Sequence, residues 1–196
     1  MSEPTQPDPV KLIASIFANN KDSIAASIRK LSSLFGPVDY ISALRAFDFT
    51  DYYEAEMGSS LIRRFITFED LISPDRLPEI KRATNTIENE LAEQNNRRTN
   101  IDPGYISQAH LILATGKAYT HRPYLKDGIY ADLTLVYRHN SFRPLDWTYP
   151  DYAEEKTVNL FNMIRKCYLI QLKQMKENVG RHFTSNHIER EEIQPE

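Results

Sequence analysis

The sequence predicts an α+β protein, and three observations predict it. The run VKLIASIFA at 10–18 is apolar at successive positions, as a strand buried on both faces must be. Two stretches, 24–35 and around 74–93, space their apolar residues by three and four, the period of an amphipathic helix. Short apolar runs bounded by turn residues lie between and beyond these helices, so the order begins β-α-β-β-α and a strand after Asn95 completes it. That order is a split βαβ, the ferredoxin-like arrangement, here with additional C-terminal strands and a long C-terminal helix.

Each element has its own signal. Residues 1–9 carry three prolines among polar neighbours and read as a flexible arm before a single domain at 10–176. After the first strand, Asn19, Asn20 and Asp22 offer capping oxygens, and Ile24, Ile28, Leu31 and Phe35 form one helical stripe. Gly36 as a left-handed cap and Pro37 stop that helix. VDYISALRAFDF at 38–49 reads as a second strand and LIRRFITFE at 61–69 as a third, a hairpin whose long tip is DYYEAEMGSS. Ser73 then caps a helix opened by Pro74, with Leu77, Ile80, Thr84, Ile87 and Leu91 on its buried side. Runs at His110–Ala114 and Ile129–Arg138, with a short piece between them, extend the sheet. The last helix starts near Pro150 and buries Val158, Phe161, Ile164, Tyr168, Leu172 and Met175, its stripe widened by Leu169 and Ile170. From Glu177 the chain turns polar, and 177–196 reads as a tail, with His182 and His187 too far apart for a helical i, i+4 pair.

Composition narrows the function classes. With 41% hydrophobic and 26% charged residues, 196 residues suffice for one domain with a real core. A net charge of -3 supplies no global field for nucleic acid or an anionic membrane. Cys167 is the only cysteine, which excludes an intrachain disulfide and a thiolate-rich zinc site; inside an apolar helix it reads as a buried, inert thiol. No run approaches the ~18 apolar residues of a membrane span and the start lacks a signal-peptide pattern, so a cytoplasmic protein is expected.

The residues with chemistry to offer gather between Arg97 and Tyr152. Arg97 and Arg98 follow a helix end, where the dipole alone favours cations, and also present planar forks that match phosphate or carboxylate. Asn100 and Asp102 precede Pro103-Gly104, a turn signature, and Tyr105 leaves it. His121 and Arg122, beside Tyr124, pair a proton shuttle with a cation, although neighbours in a strand would point to opposite faces. After the hairpin turn Asp127-Gly128, alternation puts Tyr130, Asp132 and Thr134 on one face, with Asp132 able to orient a base. Trp147 reads as core or rim, in an aromatic corner with Tyr149, Asp151 and Tyr152. The acids Asp48, Asp51, Glu54 and Glu56 read as a solvated loop rather than a cation cage, so no metal site is assigned. There is no GxxxxGK[ST], GxGxxG, HExxH or GxSxG pattern.

FDFTDYYEAEMG, LIRRFITFEDLI, IKRATNTIENELA, RRTNIDPGYI, LILATGKAYTHRPYL, DGIYADLTLVY and WTYPDY, in that order, make the chain resemble a bacterial family catalogued as a domain of unknown function (number 4416). Members of that family are sometimes labelled GTP-binding proteins, and this chain carries no phosphate-loop element. The resemblance supplies no catalytic residues, and the cofactor is left unknown.

The functional expectation is therefore drawn from the residues. It is binding or turnover of a small anionic ligand, phosphorylated or nucleotide-like, with His121 and Asp132 in catalytic roles. Arg97, Arg98, Asn100, Asp102, Tyr105, Arg122, Tyr124 and Tyr130 are the expected ligand contacts. An RNA-binding module and a partner-binding domain or homo-oligomer are the alternatives.

Overall fold

The computed structural model describes residues 2–50, 52–94 and 96–191. Nine strands form one antiparallel sheet in the order β2-β4-β1-β5-β6-β8-β7, with β3 also on β4 and β9 also on β8. The strands are β1 (Val10–Ala18), β2 (Val38–Ile41), β3 (Arg45–Ala46), β4 (Ile62–Ile72), β5 (Thr99–Ile106), β6 (His110–Thr115), β7 (Tyr124–Lys126), β8 (Ile129–Arg138) and β9 (Ser141–Pro144). The helices are α1 (Lys21–Phe35), α2 (Glu54–Met57), α3 (Leu77–Glu90), α4 (Pro150–Ala153) and α5 (Glu155–Glu191). In the first half two βαβ units interleave: β4 lies between β1 and β2, and β1 between β4 and β5.

β1 explains the layering, because its alternate side chains feed two cores. Leu12, Ala14, Ile16 and Ala18 meet α1 and α3 through Ile24, Leu31, Ile80 and Ile87. Ile13 meets the opposite layer, where α5 lays Leu160, Phe161, Ile164, Tyr168 and Leu172 over Phe65, Leu111 and Leu135. The sheet is thus covered on both faces, which is why β1 carries no polar alternation.

Several expected boundaries move, each for a local reason. The strand expected at 38–49 is broken into β2 and β3, because Ser42 Oγ accepts the Phe65 N–H at 2.9 Å and takes the place of a ladder partner. Ser73 makes no side-chain cap; Pro74–Arg76 form a 3-10 turn that leads into α3. Asn20 does cap α1, accepting from the Ser23 N–H at 2.8 Å. Gly36 ends that helix with φ 93° and ψ -177°, an extended glycine conformation rather than the left-handed helical one. Asp127 and Gly128 have the paired positive φ of a two-residue hairpin, and His139-Asn140 makes a second such turn that opens β9, a strand with no turn dipeptide to announce it.

The largest correction is at Asp102-Pro103-Gly104, which is the middle of β5 and not a turn. Pro103 fits a strand here because of which way its nitrogen faces. Ile101 turns its N–H to Glu88 Oε1 (2.7 Å) and its carbonyl to Lys81 Nζ (2.8 Å), away from β1. Pro103, two residues on, faces the same side, and the β6 ladder begins only at Gly104, so the missing N–H breaks no strand pairing. Lys81 and Glu88 of α3 thus stand in for a neighbouring strand along the first half of β5.

α5 continues to Glu191, past the expected end at 176, since the polar stretch holds no proline until Pro195 and is rich in helix formers. Residues 192–196 and the side chains of His182 and His187 lie outside the described residues, as do Asp51 and the Glu54 side chain. Ile170 is 60% exposed and Cys167 is exposed, because both lie off the stripe that runs through Phe161, Ile164, Tyr168 and Leu172. Among the described residues, no helix is long and apolar enough to cross a membrane.

Candidate functional site

Beyond the N-terminal end of α5 the sheet face it covers opens into a cleft of about 810 Å³, lined by Lys117, Tyr119, Thr120, His121, Arg122, Asp146, Trp147 and Tyr149. Two connections build it: the one between β6 and β7, and the turn between β9 and α4. Residues 116–123 form no strand, which frees His121 and Arg122 from strand alternation, and both reach Asp132 on β8. Asp132 sits opposite Leu113, itself opposite Gly104, on the face where α5 packs.

Arg122 is held from three sides. Its Nε and Nη2 are each 2.8 Å from Asp132 Oδ2, Nη1 donates to the Lys117 carbonyl at 3.2 Å, and Nη2 donates to the Tyr149 hydroxyl at 3.3 Å. Burial works against its charge, and the Tyr149 and Asp132 oxygens outweigh it, so the guanidinium is held charged. The His121 ring stacks on Trp147 at 5.0 Å between centroids and 14° between planes, with Tyr119 5.5 Å away. Its Nε2 is buried, has no hydrogen-bond partner among the described residues and lies 3.8 Å from Asp132 Oδ2. The Trp147 indole N–H donates to the Leu133 carbonyl at 2.9 Å, and the Thr148 hydroxyl to the Thr134 carbonyl at 2.6 Å. These two bonds pin the Leu145–Thr148 turn onto β8.

A second polar group adjoins the cleft along the open half of β5. Glu56 takes Arg97 in a two-pronged pair, with Nε at 2.8 Å from Oε1 and Nη2 at 2.6 Å from Oε2. Those hydrogen bonds hold the Glu56 carboxyl below the usual carboxylate range. Arg97 Nη1 also donates to Asn100 Oδ1 at 3.1 Å, and Asn100 Nδ2 to Asp102 Oδ2 at 2.8 Å. Asp102 lies 3.5 Å from Lys81 Nζ, and Glu88, whose carboxyl is pushed up by burial, lies 3.5 Å from Arg97. Tyr53 joins the two groups: burial raises its phenol first, and Asp102, Arg97 and Tyr149 all act on it within electrostatic reach. Lys117 Nζ closes the gap from the other side, 3.3 Å from the Tyr52 hydroxyl.

The expected residues therefore divide. His121 and Arg122 line the cleft, with the buried Asp132 behind them; Arg97, Asn100 and Asp102 form the adjoining network. Arg98 is spent on Glu93 at 2.6 Å, away from both. Tyr105 packs on the opposite face, within the clusters formed with α3. Tyr124 and Tyr130 pack edge to face at 5.3 Å along the β7–β8 edge and do not line the cleft. Thr134 is the unpaired residue of a bulge, since Leu111 pairs with Leu135 and Ile112 with Leu133, so it leaves the Tyr130–Asp132 alternation. The expected aromatic corner comes apart too: Tyr152 packs on Phe65 and Phe161, and Asp151 pairs with Arg63, whose cation lies 4.1 Å from the Phe47 ring.

Each fork expected to seize an anion is occupied by a carboxylate of the protein: Arg97 by Glu56, Arg98 by Glu93, Arg122 by Asp132. The cleft cation without such a partner among the described residues is Lys117, which the sequence did not single out. Thr120 and Asp146 were missed for the same reason, as isolated polar residues in loops leave no periodic signal.

Fold and site define an α+β protein whose antiparallel sheet is covered by helices on both faces and carries an aromatic-rimmed cleft past the end of its long helix. The chain belongs to the family described as a domain of unknown function (DUF4416), whose model matches residues 8–168 and so spans every cleft residue. Neither the curated proteins nor the solved structures hold a match to it.

Proposed function

We propose that the cleft binds a small anionic ligand of nucleotide-like chemistry, a flat ring joined to a phosphate or carboxylate. The observation that carries this is the joint presence of Lys117, free of any carboxylate among the described residues, and of the Tyr119, Trp147 and Tyr149 rings around one space of about 810 Å³. That volume is in the range of small-ligand sites. Lys117 and the Thr120 hydroxyl receive the anion, with Arg122 as a fixed positive wall, and the rings receive the flat part. Where the ligand is turned over, His121 is the group that moves the proton and Asp132 positions it.

The interleaved βαβ units support a ferredoxin-like reading of the core. An RNA-stacking platform would need the sheet face that α5 covers, which favours the small-ligand reading.

One ring stack contributes ~1–3 kcal/mol and one charge-assisted hydrogen bond ~1.5–3 kcal/mol, together ~2.5–6 kcal/mol, and the middle of that range, about 4 kcal/mol, corresponds to a Kd of about 1 mM. The test is thermal unfolding with 5′-mononucleotides and inorganic phosphate at about ten times that Kd. The expected gain is about 1.4 kcal/mol, a rise of roughly 4 °C that Lys117→Ala abolishes. A flat response across the panel, or a rise that survives Lys117→Ala, would overturn the proposal.

A further inference from the structure

We infer that Asp146 selects the ring of the bound ligand by accepting hydrogen bonds from its amino or imino N–H groups; this rests on the nucleotide-like reading of the cleft. Glu56, Glu88, Asp102, Asp132 and Asp151 each have a cation within 4 Å. Asp146 lines the same cleft, is exposed, and has neither an ion-pair nor a hydrogen-bond partner among the described residues. Lys117 lines that cleft too, yet the two do not pair.

Asp146 is also held in place. The turn that carries it closes through the Thr148 N–H to the Leu145 carbonyl (2.9 Å) and the Leu145 N–H to the Thr148 hydroxyl (2.8 Å). Its two bonds to β8, from Trp147 Nε1 and Thr148 Oγ1, prevent it from swinging out. The next residue, Trp147, has its ring fixed by the same bond and by the stacked His121. A rigid indole with a carboxylate one residue away is an arrangement that reads a flat heterocycle twice: the face by stacking, the edge by acceptance. A carboxylate offers only acceptors, so it favours rings that carry N–H donors and repels those that present lone pairs at the same edge. Lys117 meanwhile addresses the anionic part.

The experiment measures binding of pairs of 5′-monophosphates that differ only by one ring amino group: adenosine against purine riboside, and guanosine against inosine. The wild-type protein is expected to prefer the amino member of at least one pair by tenfold or more, and Asp146→Ala, which removes both acceptor oxygens and breaks no internal side-chain bond, to lose that preference. Equal affinities within both pairs, or a preference that Asp146→Ala retains, would overturn the role of Asp146 while leaving the cleft as a nucleotide site. Absence of binding by all four nucleotides would overturn the reading of the cleft itself and this inference with it.

Discussion

Gly104→Ala distinguishes a strand pressed against its neighbour from a turn. The added Cβ would stand 2.4 Å from the Ile112 carbonyl oxygen, 2.7 Å from Leu113 Cδ2 and 3.1 Å from Leu113 Cα. The Leu113 methyl can rotate aside. The Ile112 carbonyl cannot, because Ile112 is paired with Tyr105 on one side and Leu133 on the other. Relaxed carbon–oxygen contacts lie near ~3.3 Å, so β5 and β6 must part locally by about 0.9 Å. That movement adds the ~1–3 kcal/mol of overpacking to a loss of ~1 kcal/mol for each strained ladder hydrogen bond. The expected destabilisation is about 3 kcal/mol, and with a urea dependence of about 2.5 kcal/mol per molar the unfolding midpoint falls by roughly 1.2 M. Gly116→Ala is the control, since nothing lies within 4 Å of the Cβ it would add; its stability stays within about 0.5 kcal/mol of the wild type, a midpoint change of at most about 0.2 M. Equal midpoints for the two variants would refute the strand packing described for β5.

Three further outcomes follow from buried and exposed groups. Arg63→Ala leaves Asp151 buried without its cation and costs about 3–5 kcal/mol, whereas Arg63→Leu combined with Asp151→Leu recovers most of it; a double variant no more stable than the single would reject the pairing. Acid unfolding separates two carboxylates of the β5 network. Arg97 holds Glu56 below the usual range, so its contribution is present above that range and is lost as pH falls through the folded value, and the wild-type lead over Glu56→Gln shrinks as pH drops below about 4.3 and through that lower value. Burial raises Glu88, so its ionisation costs the fold as pH climbs from about 4.3 through the raised value, and Glu88→Gln gains on the wild type over that climb; stability curves that stay parallel would contradict both shifts. Cys167, exposed on α5, is expected to react with one equivalent of an aromatic disulfide in the native protein, and a thiol that reacts only on unfolding would show it to be covered.

Patterns of burial were legible in the sequence wherever they repeat. β1 was legible because nine consecutive buried positions leave no polar alternation, and α1 and α3 because their stripes recur at three and four. Asp127-Gly128 announced its hairpin because local backbone demand selects those residues. By contrast, Lys81 and Glu88 sit on the buried side of α3 at a spacing of seven, where charges read as solvent-facing until the open edge of β5 is there to receive them. The same edge decides that Pro103-Gly104 is strand: a turn signature records local propensity, while the direction of the Pro103 nitrogen and the close approach of β6 are set by distant residues.

The site divides along the same line. Sequence by itself determined the α+β class and the interleaved first half, and it pointed to the stretch between Arg97 and Tyr152 as the source of candidate site residues, because burial periodicity and residue type are local properties. Only the tertiary structure decided that Arg97, Arg98 and Arg122 are already matched by carboxylates, and that Lys117, Asp146 and Trp147 face one cleft. Which charge meets which is settled by loops that fold back across a sheet, at separations over which the order of residues carries no distance.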